Sequence, residues 1–461
     1  MDEFTTISPV DGTPVVTRAR TPASGLEALA QAARRAQREW ADRPLSERSQ
    51  VLQAAVDAVL ARGEPMAHDI TRQMGRPLAQ SPGELKGFAE RARHMLSIAP
   101  EALAAIPLPQ KSGFERFIER EPVGTVLTIA PWNYPLLTAV NSIVPALAAG
   151  NAVILKHSEQ TPLCAEGLVD AFAAAGVPRG LFQFIHASHA TIDVLIRSPW
   201  VDYVAFTGSV AGGAAVEHAA AGRFIGRGLE LGGNDPAYVR ADADLAHAVE
   251  TLVDGAFYNS GQSCCGIQRI YVNEAVYPEF LARAVALTEQ YRLGNPLEAD
   301  TNLGPVVRTR AADEIRAVIA ASVQQGARNV IDGKRFPSAR TGTPYVAPAI
   351  LTDVTHAMPV MNEECFGPVV GLMPVRTDDQ AVALMNDSPY GLTAAVFTRD
   401  VDAARQLGRR IATGTFFLNR CDYLDPGLAW TGVKNTGHGV SLSILGYQSL
   451  TRAKSFHLRL P

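Results

Sequence analysis

The stretch GTVLTIAPWNYPLLTAVNSIVPALAAGNAVILKH, residues 124–157, carries the pattern that decides the fold. It opens on a short β-branched run at 124–130, continues through a segment of helical length at 136–149, and returns to a second β-branched run at 151–155. Short apolar runs of this kind are typical of buried strands, and a strand–helix–strand unit joins parallel strands. The stretch therefore predicts an α/β fold built on a parallel, doubly wound sheet.

The same alternation continues towards the C-terminus. After 155 the predicted elements are a helix at 161–175, a strand at 181–185, a helix at 189–197, a strand at 202–206 and a helix at 210–220. A second set follows, with strands at 237–239, 269–272, 368–375 and 415–419 and helices at 243–258 and 276–291. We expect two α/β domains in series with a cleft between them, and ligands at the carboxyl ends of the strands.

The N-terminal part reads differently. Two amphipathic helices are predicted within 22–62, separated near Pro44, with Ser46 as the N-cap of the second, and a third helix is predicted at 83–97. Two charged segments, FERFIEREP at 114–122 and SLTRAKSFHLRL at 449–460, fit neither α/β set. The pattern leaves two readings open: edge strands that reach a neighbouring subunit, or an exposed hairpin and a frayed tail.

Composition excludes several classes of protein. The 461 residues are 47% hydrophobic and 19% charged with a formal net charge of −4, and no Lys/Arg-rich run appears, so we expect no nucleic-acid partner. The N-terminus lacks a signal-peptide pattern, and the longest apolar stretch, 136–150, is too short for a membrane span. The five cysteines show no metal-ligand spacing, so we expect no metal site and a cytoplasmic protein.

Five stretches carry residue types that suit chemistry, although each also has a structural explanation. An amide or a charged side chain at a strand end can serve a cleft or an ordinary turn, and a small-residue turn can bind phosphate or merely connect a strand to a helix. The stretches are APWNYP (130–135), LKHSE (155–159), AFTGSVAGG (205–213), LELGGND (229–235) and GQSCCGIQR (261–269).

The paired cysteines in the last stretch pose the sharpest question. A disulfide between neighbouring residues is strained and rare, so Cys264 and Cys265 are not expected to be bonded to each other. Both can be small buried core residues, as most free cysteines are. Alternatively, one thiol is a nucleophile and the other is a bystander.

Taken together, these motifs strongly resemble the aldehyde dehydrogenase superfamily, in order and in spacing, over residues 5–455. The motifs are Trp132-Asn133-Tyr134-Pro135, Lys156 with Glu159, Phe206-Thr207-Gly208-Ser209, Glu230-Leu231-Gly232-Gly233, Gly261-Gln262-Ser263-Cys264 and Glu363-Glu364-Cys365-Phe366-Gly367-Pro368. The resemblance implies that Cys264 is the nucleophile and Cys265 the bystander. It implies that Asn133 stabilises the oxyanion and that Glu230 activates water to hydrolyse a thioester.

The resemblance also implies a dinucleotide cofactor, NAD with NADP possible. The residues implied at its site are Trp132, Lys156, Glu159, Gly208, Ser209, Leu231, Glu364 and Phe366. NAD is expected to be preferred, because the Glu159 carboxylate beside the ribose repels a 2′-phosphate. His157 stands where members commonly have proline, and in its protonated form it would weaken that preference.

The implied substrate is a small-molecule aldehyde, medium-sized and partly apolar. Its pocket is expected to include Tyr134, Thr138, Asn141, Ser263, Cys265, Leu424 and Trp430. The usual Pro-Phe-Gly-Gly near the C-terminus is replaced by Ala429-Trp430-Thr431-Gly432, so the preferred aldehyde is not implied. Asp422 and Asp425 near the mouth point to a cationic amino-aldehyde, and solvated loop carboxylates are the alternative.

The family fold implies three parts and an assembly. These are a Rossmann-type NAD-binding domain at 1–106 and 123–231, an α/β catalytic domain at 232–437, and a small β oligomerisation element at 107–122 and 438–461, in a homodimer or homotetramer. Two rival functions remain: a coenzyme A-acylating member of the family, or a non-catalytic binding protein on the same fold. The presence of Glu230 argues against the first, and that of Cys264 and Asn133 with it argues against the second.

Overall fold

The structure, a computed structural model, describes residues 2–461 and contains two mainly parallel sheets. The first has six strands. In spatial order they are Gly437–His438, Gly226–Glu230, Tyr203–Thr207, Thr125–Ala130, Ala152–His157 and Phe182–Ile185. Only the short Gly437–His438 strand is antiparallel to its neighbour. This arrangement confirms the doubly wound sheet predicted from the 124–157 stretch.

The order of these strands places the chemistry-bearing motifs together. The chain builds outward from Thr125–Ala130 in one direction and then returns to add Tyr203–Thr207 on the other side. Side chains that follow these two neighbouring strands meet at the switch point where ligands bind in such sheets. Asn133 follows the first strand and Gly208 the second.

The second sheet has seven strands and belongs to the C-terminal half. In spatial order they are Arg328–Asn329, Ala349–Thr352, Val369–Val375, Ile267–Asn273, Asp235–Val239, Thr393–Phe397 and Thr415–Leu418. The pairings are parallel except for Arg328–Asn329. The four strands predicted here are all present.

The α-helices cover both sheets. They are Leu26–Ala41, Leu45–Ala61, Gly63–Met74, Ser81–Ala102, Leu137–Ala148, Pro162–Ala174, His189–Arg197, Val210–Ala220, Leu245–Phe257, Tyr277–Thr288, Thr309–Gln324, Pro359–Asn362, Asp378–Asn386, Val401–Gly408 and Ser443–Ser449. In the helix Leu26–Ala41 the buried residues recur at steps of three and four up to Trp40, so they lie on one face of the helix. The Trp40 indole N–H donates to the Leu147 carbonyl at 2.8 Å and so ties this helix to the helix Leu137–Ala148.

The structure corrects one predicted cap and adds elements that the pattern did not reveal. The second helix begins at Leu45 with Pro44 as its N-cap, so Ser46 lies inside the first turn and caps nothing. An N-terminal hairpin, Glu3–Ile7 with Pro14–Ala19, was not predicted, because its strands are short and partly exposed. The helices Gly63–Met74 and Thr309–Gln324 were also missed.

The two segments that fit neither α/β set pair with each other. Phe114–Pro122 and Thr451–Arg459 run antiparallel along their full lengths, and Ile106–Pro107 adds a third strand. The rings of Phe117 and Phe456 stack across the pair at 4.7 Å. The tail is therefore an ordered strand and not a frayed end. Within residues 2–461, no helix combines the length and apolar character that crossing a membrane requires.

Candidate active site

The loop that carries the paired cysteines is held in an unusual backbone conformation. After the helix Leu245–Phe257, three successive residues, Asn259, Ser260 and Gly261, have φ of 51°, 56° and 70°. A side chain at Gly261 would collide with the Gly367 carbonyl, so glycine is required there. Left-handed conformations at non-glycine residues cost energy and persist only where contacts enforce them. The Ser260 hydroxyl supplies one such contact by donating to the Gly304 carbonyl at 2.8 Å.

Gln262 fixes the same loop from the other side. Its side-chain oxygen accepts from the Val307 backbone N–H at 2.8 Å, and its side-chain nitrogen donates to the Asn259 carbonyl at 3.1 Å. The side chain is buried, so both bonds form away from water. The glutamine of the Gly-Gln-x-Cys motif therefore sets the position of the thiol two residues later.

The two thiols that follow lie in different surroundings. Cys264 is partly exposed, whereas Cys265 is 3% exposed and its Sγ donates to Asp422 Oδ1 at 2.9 Å. The adjacent Cys264 thiol and burial hold the pKa of Cys265 well above its usual range. Because the thiolate is the reactive form, Cys265 is the poorer nucleophile.

Cys264 opens onto a cavity of about 450 Å³. Glu230 lines this cavity as well. All seven residues expected in the substrate pocket also line it: Tyr134, Thr138, Asn141, Ser263, Cys265, Leu424 and Trp430. The cavity thus brings together side chains from both sheets and from the C-terminal loops.

Glu230 ends the strand Gly226–Glu230 and points towards polar neighbours. Its carboxylate accepts from the Ser441 hydroxyl at 2.5 Å and from the Thr207 hydroxyl at 3.2 Å. Burial raises the pKa of Glu230, although these hydrogen bonds act in the opposite direction. Gly233, three residues on, lies so close to the Cys264 carbonyl that no side chain fits between them. A carboxylate of raised pKa therefore shares the cavity with the partly exposed thiol.

Asn133 reaches the cysteine loop from the first sheet. Its side-chain amide donates to the Gln262 carbonyl at 3.2 Å. An amide nitrogen has two hydrogens, so one remains for an oxyanion. The backbone carbonyl of Asn133 accepts from Arg76 at 2.5 Å, and Arg76 is paired with Glu84.

The Arg76–Glu84 pair was missed from the sequence. Both side chains are almost fully buried, and Glu84 Oε1 accepts from the Leu136 and Leu137 backbone N–H groups at 2.7 and 3.1 Å. The pair therefore ties the helix Ser81–Ala102 to the segment that carries Asn133. An acidic residue with an arginine eight positions before it gives no local sign of such a role.

Charged side chains in the cavity are not all paired. Arg91 is 8% exposed and donates through Nη1 to the Leu137 carbonyl at 2.7 Å and to Asn141 Oδ1 at 3.2 Å, and no described carboxylate forms an ion pair with it. Asp422 also lines the cavity and accepts from Ser263 at 2.8 Å. Asp425, which was expected at the mouth, is exposed and is not part of the lining, since its carboxylate caps its own turn at Gly427.

A second cavity, of about 500 Å³, lies beside the strand Ala152–His157. Three of the expected cofactor residues, Trp132, Lys156 and Glu159, line it. Lys156 is 7% exposed, and its ammonium meets no acceptor among residues 2–461. A buried cation without a protein partner is costly, so this cavity suits a ligand that bears hydroxyl or phosphate oxygens.

Other expected cofactor residues connect this cavity to the thiol. The rings of Trp132 and Phe366 meet edge-to-face at 5.7 Å. Glu364 accepts from the Gly233 backbone N–H at 3.0 Å, and burial raises the pKa of Glu364 to about 7. Gly233 abuts the Cys264 carbonyl, so Glu364 is linked through Gly233 to the cysteine loop.

The remaining three cofactor residues lie at the start of the helix Val210–Ala220. Ser209 is its N-cap, and the Ser209 hydroxyl accepts from the Gly212 backbone N–H at 3.1 Å. Gly208 precedes it, and Leu231 packs so tightly on Gly213 of the same helix that no Cβ fits there. Helix N-termini of this kind attract anions, as expected for a pyrophosphate.

Two residues at or beside the second cavity, where the adenosine ribose of the cofactor is expected, differ from expectation. Glu159 is held by Arg20 through Nε at 2.7 Å and Nη2 at 3.0 Å, so its carboxylate is not free. His157 is buried and accepts at Nδ1 from Thr161 at 2.9 Å, and burial lowers the pKa of His157 to about 4. The ring is neutral near pH 7, so the expectation that its protonation weakens an NAD preference is wrong.

Comparisons with known proteins agree with this geometry. The sequence matches the aldehyde dehydrogenase family over residues 1–456. It is 36% identical to a succinate-semialdehyde dehydrogenase [NADP(+)] of Deinococcus radiodurans over 98% of this chain and 94% of that protein. It is 34% identical to a succinate semialdehyde dehydrogenase [NAD(P)+] of Escherichia coli K12, over 95% of this chain and 94% of that one.

Solved structures share the fold of this chain. An NADP-dependent glyceraldehyde-3-phosphate dehydrogenase from Bacillus halodurans C-125, solved in complex with NADP, superimposes with a TM-score of 0.94 at 32% identity, covering 100% of this chain and 96% of that one. The resemblance inferred from six motifs is thereby confirmed. The chain belongs to the aldehyde dehydrogenase family, and it is an NAD(P)-dependent oxidoreductase that converts an aldehyde to a carboxylic acid.

Proposed function

We propose that Cys264 and Glu230, which line the 450 Å³ cavity, perform this oxidation together with Asn133, a buried residue whose amide contacts the cysteine loop at the Gln262 carbonyl. The observation that carries the proposal is that a partly exposed thiol and a carboxylate of raised pKa line one cavity. The thiolate of Cys264 attacks the aldehyde carbon and forms a thiohemiacetal. The free N–H of the Asn133 amide and the backbone N–H of Cys264 stabilise the developing oxyanion.

The second half of the reaction releases the acid. A bound dinucleotide would supply the hydride acceptor, and loss of hydride from the thiohemiacetal carbon would leave a thioester on Cys264. Glu230 takes a proton from water, the water oxygen bonds to the thioester carbon, and the thiolate leaves. The net reaction consumes aldehyde, oxidised dinucleotide and water, and yields acid, reduced dinucleotide and a proton. Glu230 favours water over coenzyme A as the acyl acceptor.

Replacing Asn133 with alanine is expected to lower kcat by about 10²–10³, because one oxyanion donor is lost. Steady-state kinetics with an aldehyde and either dinucleotide measures the effect. The variant Asn141→Ala, which removes an amide from the wall of the 450 Å³ cavity and leaves the hydrogen bond to the Gln262 carbonyl in place, serves as a comparison. An Asn133→Ala enzyme with wild-type kcat would show that this amide does not contact the oxyanion.

The preferred aldehyde is proposed to carry a carboxylate at its far end. Arg91 lines the cavity with a guanidinium that has no carboxylate partner among residues 2–461, and such a group suits an anionic substrate. Two relatives at 34–36% identity are named for succinate semialdehyde. Asp422 supports a second candidate, a cationic amino-aldehyde, because it also lines the cavity and forms no ion pair with any residue within 2–461.

Three four-carbon aldehydes that differ only in the terminal group separate these candidates: succinate semialdehyde, butanal and 4-aminobutanal. We expect kcat/KM for succinate semialdehyde to exceed that for butanal by about tenfold or more, since a charge-assisted hydrogen bond is worth about 1.5–3 kcal/mol. The variant Arg91→Met should remove this advantage and keep butanal turnover. The highest kcat/KM with 4-aminobutanal would favour the second candidate. No acid from any of the three, with either dinucleotide, would contradict the proposed site.

Assembly and location complete the proposal. The sheet formed by Phe114–Pro122 and Thr451–Arg459 has exposed edges, which supports a homodimer or homotetramer built through this element. Light scattering that gives the mass of a single chain would contradict it.

The five cysteines are all free, which supports a reducing compartment, the cytoplasm.

A further inference from the structure

Arg20 lines the second cavity, the adenosine-end cavity that also contains Lys156 and Glu159. No sequence motif indicated this residue. It directly follows the hairpin strand Pro14–Ala19 and lines the cavity with Glu159, although 139 positions separate the two. Arg20 Nε and Nη2 donate to the Glu159 carboxylate, at 2.7 and 3.0 Å. The third nitrogen, Nη1, donates to Asp2 at 2.5 Å and to the Glu3 carbonyl at 3.1 Å.

The pairing changes the charge that a dinucleotide would meet. An isolated carboxylate beside a ribose repels a 2′-phosphate, and this was the reason to expect an NAD preference. In the structure the charge of Glu159 is balanced by Arg20. Lys156 and Arg308 line the same cavity, and Arg20 is also paired with Asp2, so three cations stand against the two carboxylates of Glu159 and Asp2. The cavity therefore carries a positive surplus, which suits an additional phosphate.

We propose that Arg20 is a specificity-determining residue that lets this enzyme bind NADP as well as NAD. It does so by neutralising Glu159 and by offering the one remaining N–H of Nη2 to the 2′-phosphate. Guanidinium is the side-chain group best suited to phosphate, because it is planar and always charged. The inference rests on NAD(P) use by the family and not on the aldehyde proposed above.

The hairpin strand Pro14–Ala19, which Arg20 directly follows, provides a matched control. Arg18 lies two positions before Arg20 and forms a similar two-pronged pair with Glu166, at 2.8 and 2.9 Å. Arg18 and Glu166 do not line the adenosine-end cavity. Replacing Arg18 with alanine therefore removes an arginine–glutamate pair of the same kind from the strand that precedes Arg20, without changing the charge of the site.

The test measures NADH and NADPH binding by nicotinamide fluorescence in the absence of aldehyde, so that catalysis does not enter. We expect the wild type to bind both, with dissociation constants within about tenfold of each other. Arg20→Ala should weaken NADPH binding about ten- to hundredfold more than NADH binding, since a charge-assisted contact to phosphate is lost and Glu159 is freed. Arg18→Ala should leave the ratio of the two constants as in the wild type.

Two further variants keep the proposal testable if Arg20→Ala folds poorly. Arg20→Lys keeps the charge and loses the planar fork, so we expect an intermediate loss of NADPH affinity. Glu159→Gln should raise NADPH affinity relative to NADH. An equal loss of both dinucleotides in Arg20→Ala and Arg20→Lys, or a wild type that does not bind NADPH, would overturn the proposal.

Discussion

Replacing Cys264 with alanine is expected to abolish aldehyde oxidation, with a loss in kcat on the order of 10⁶, the scale reached when an enzyme loses its covalent nucleophile. No other thiol is expected to take over, because Cys265 is buried and bonded to Asp422. Cys421 also lines the cavity, but it is buried and its thiol donates to the Thr251 carbonyl, while Cys164 and Cys365 are buried elsewhere. Reduced dinucleotide formation at 340 nm measures the effect. Binding of NADH to the variant should be preserved, which shows that the protein is folded.

Cys265→Ala is the matched control, since it removes the neighbouring thiol. We expect turnover within about tenfold of the wild type, because the pKa of Cys265 lies well above its usual range and little thiolate forms. The variant loses the Cys265–Asp422 hydrogen bond, so a change in KM is compatible with its place in the cavity wall. If Cys265→Ala were inactive while Cys264→Ala remained active, the two roles would have to be exchanged.

Replacing Glu230 with glutamine is expected to separate the two halves of the reaction. Glutamine preserves shape but cannot accept a proton, so thioester hydrolysis should slow by about 10²–10⁴. Thioester formation needs no water, so one equivalent of reduced dinucleotide should appear in a burst before slow steady turnover. Intact-mass spectrometry after mixing with aldehyde and NAD should show the acyl group on Cys264.

The pH dependence provides an independent check of the same role. Burial raises the pKa of Glu230, so the carboxylate becomes protonated at a higher pH than an exposed glutamate would. Only the ionised form accepts a proton from water, so deacylation in the wild type should slow as pH falls through that raised pKa. Glu230→Gln should lack this step. Wild-type turnover in the variant would make Glu230 structural, and the absence of both burst and adduct would move its action to activation of the thiol.

The sequence predicted elements correctly where the signal lies within a short stretch of the chain. The β-branched runs at 124–130 and 151–155 became the central strands of the first sheet, because burial on both faces of a parallel strand demands a continuous apolar run. The Gly-Gln-x-Cys motif was recognised through its resemblance to the family pattern, and the structure gives its physical basis in a left-handed Gly261 and in a Gln262 bonded to Val307. Exposed or irregular elements such as the N-terminal hairpin carry no such periodicity and were missed.

What the sequence determined by itself was therefore the α/β class, the order of the elements and the residue types available for chemistry. What only the tertiary structure decided was which charges meet. Arg20 neutralises Glu159 across 139 positions, and Arg76 with Glu84 supports the segment that carries Asn133. Arg91 instead enters the cavity without a carboxylate partner among residues 2–461. The physical reason is that periodicity reports which face of one element is buried, whereas an ion pair depends on how separate elements pack and on how much water they exclude.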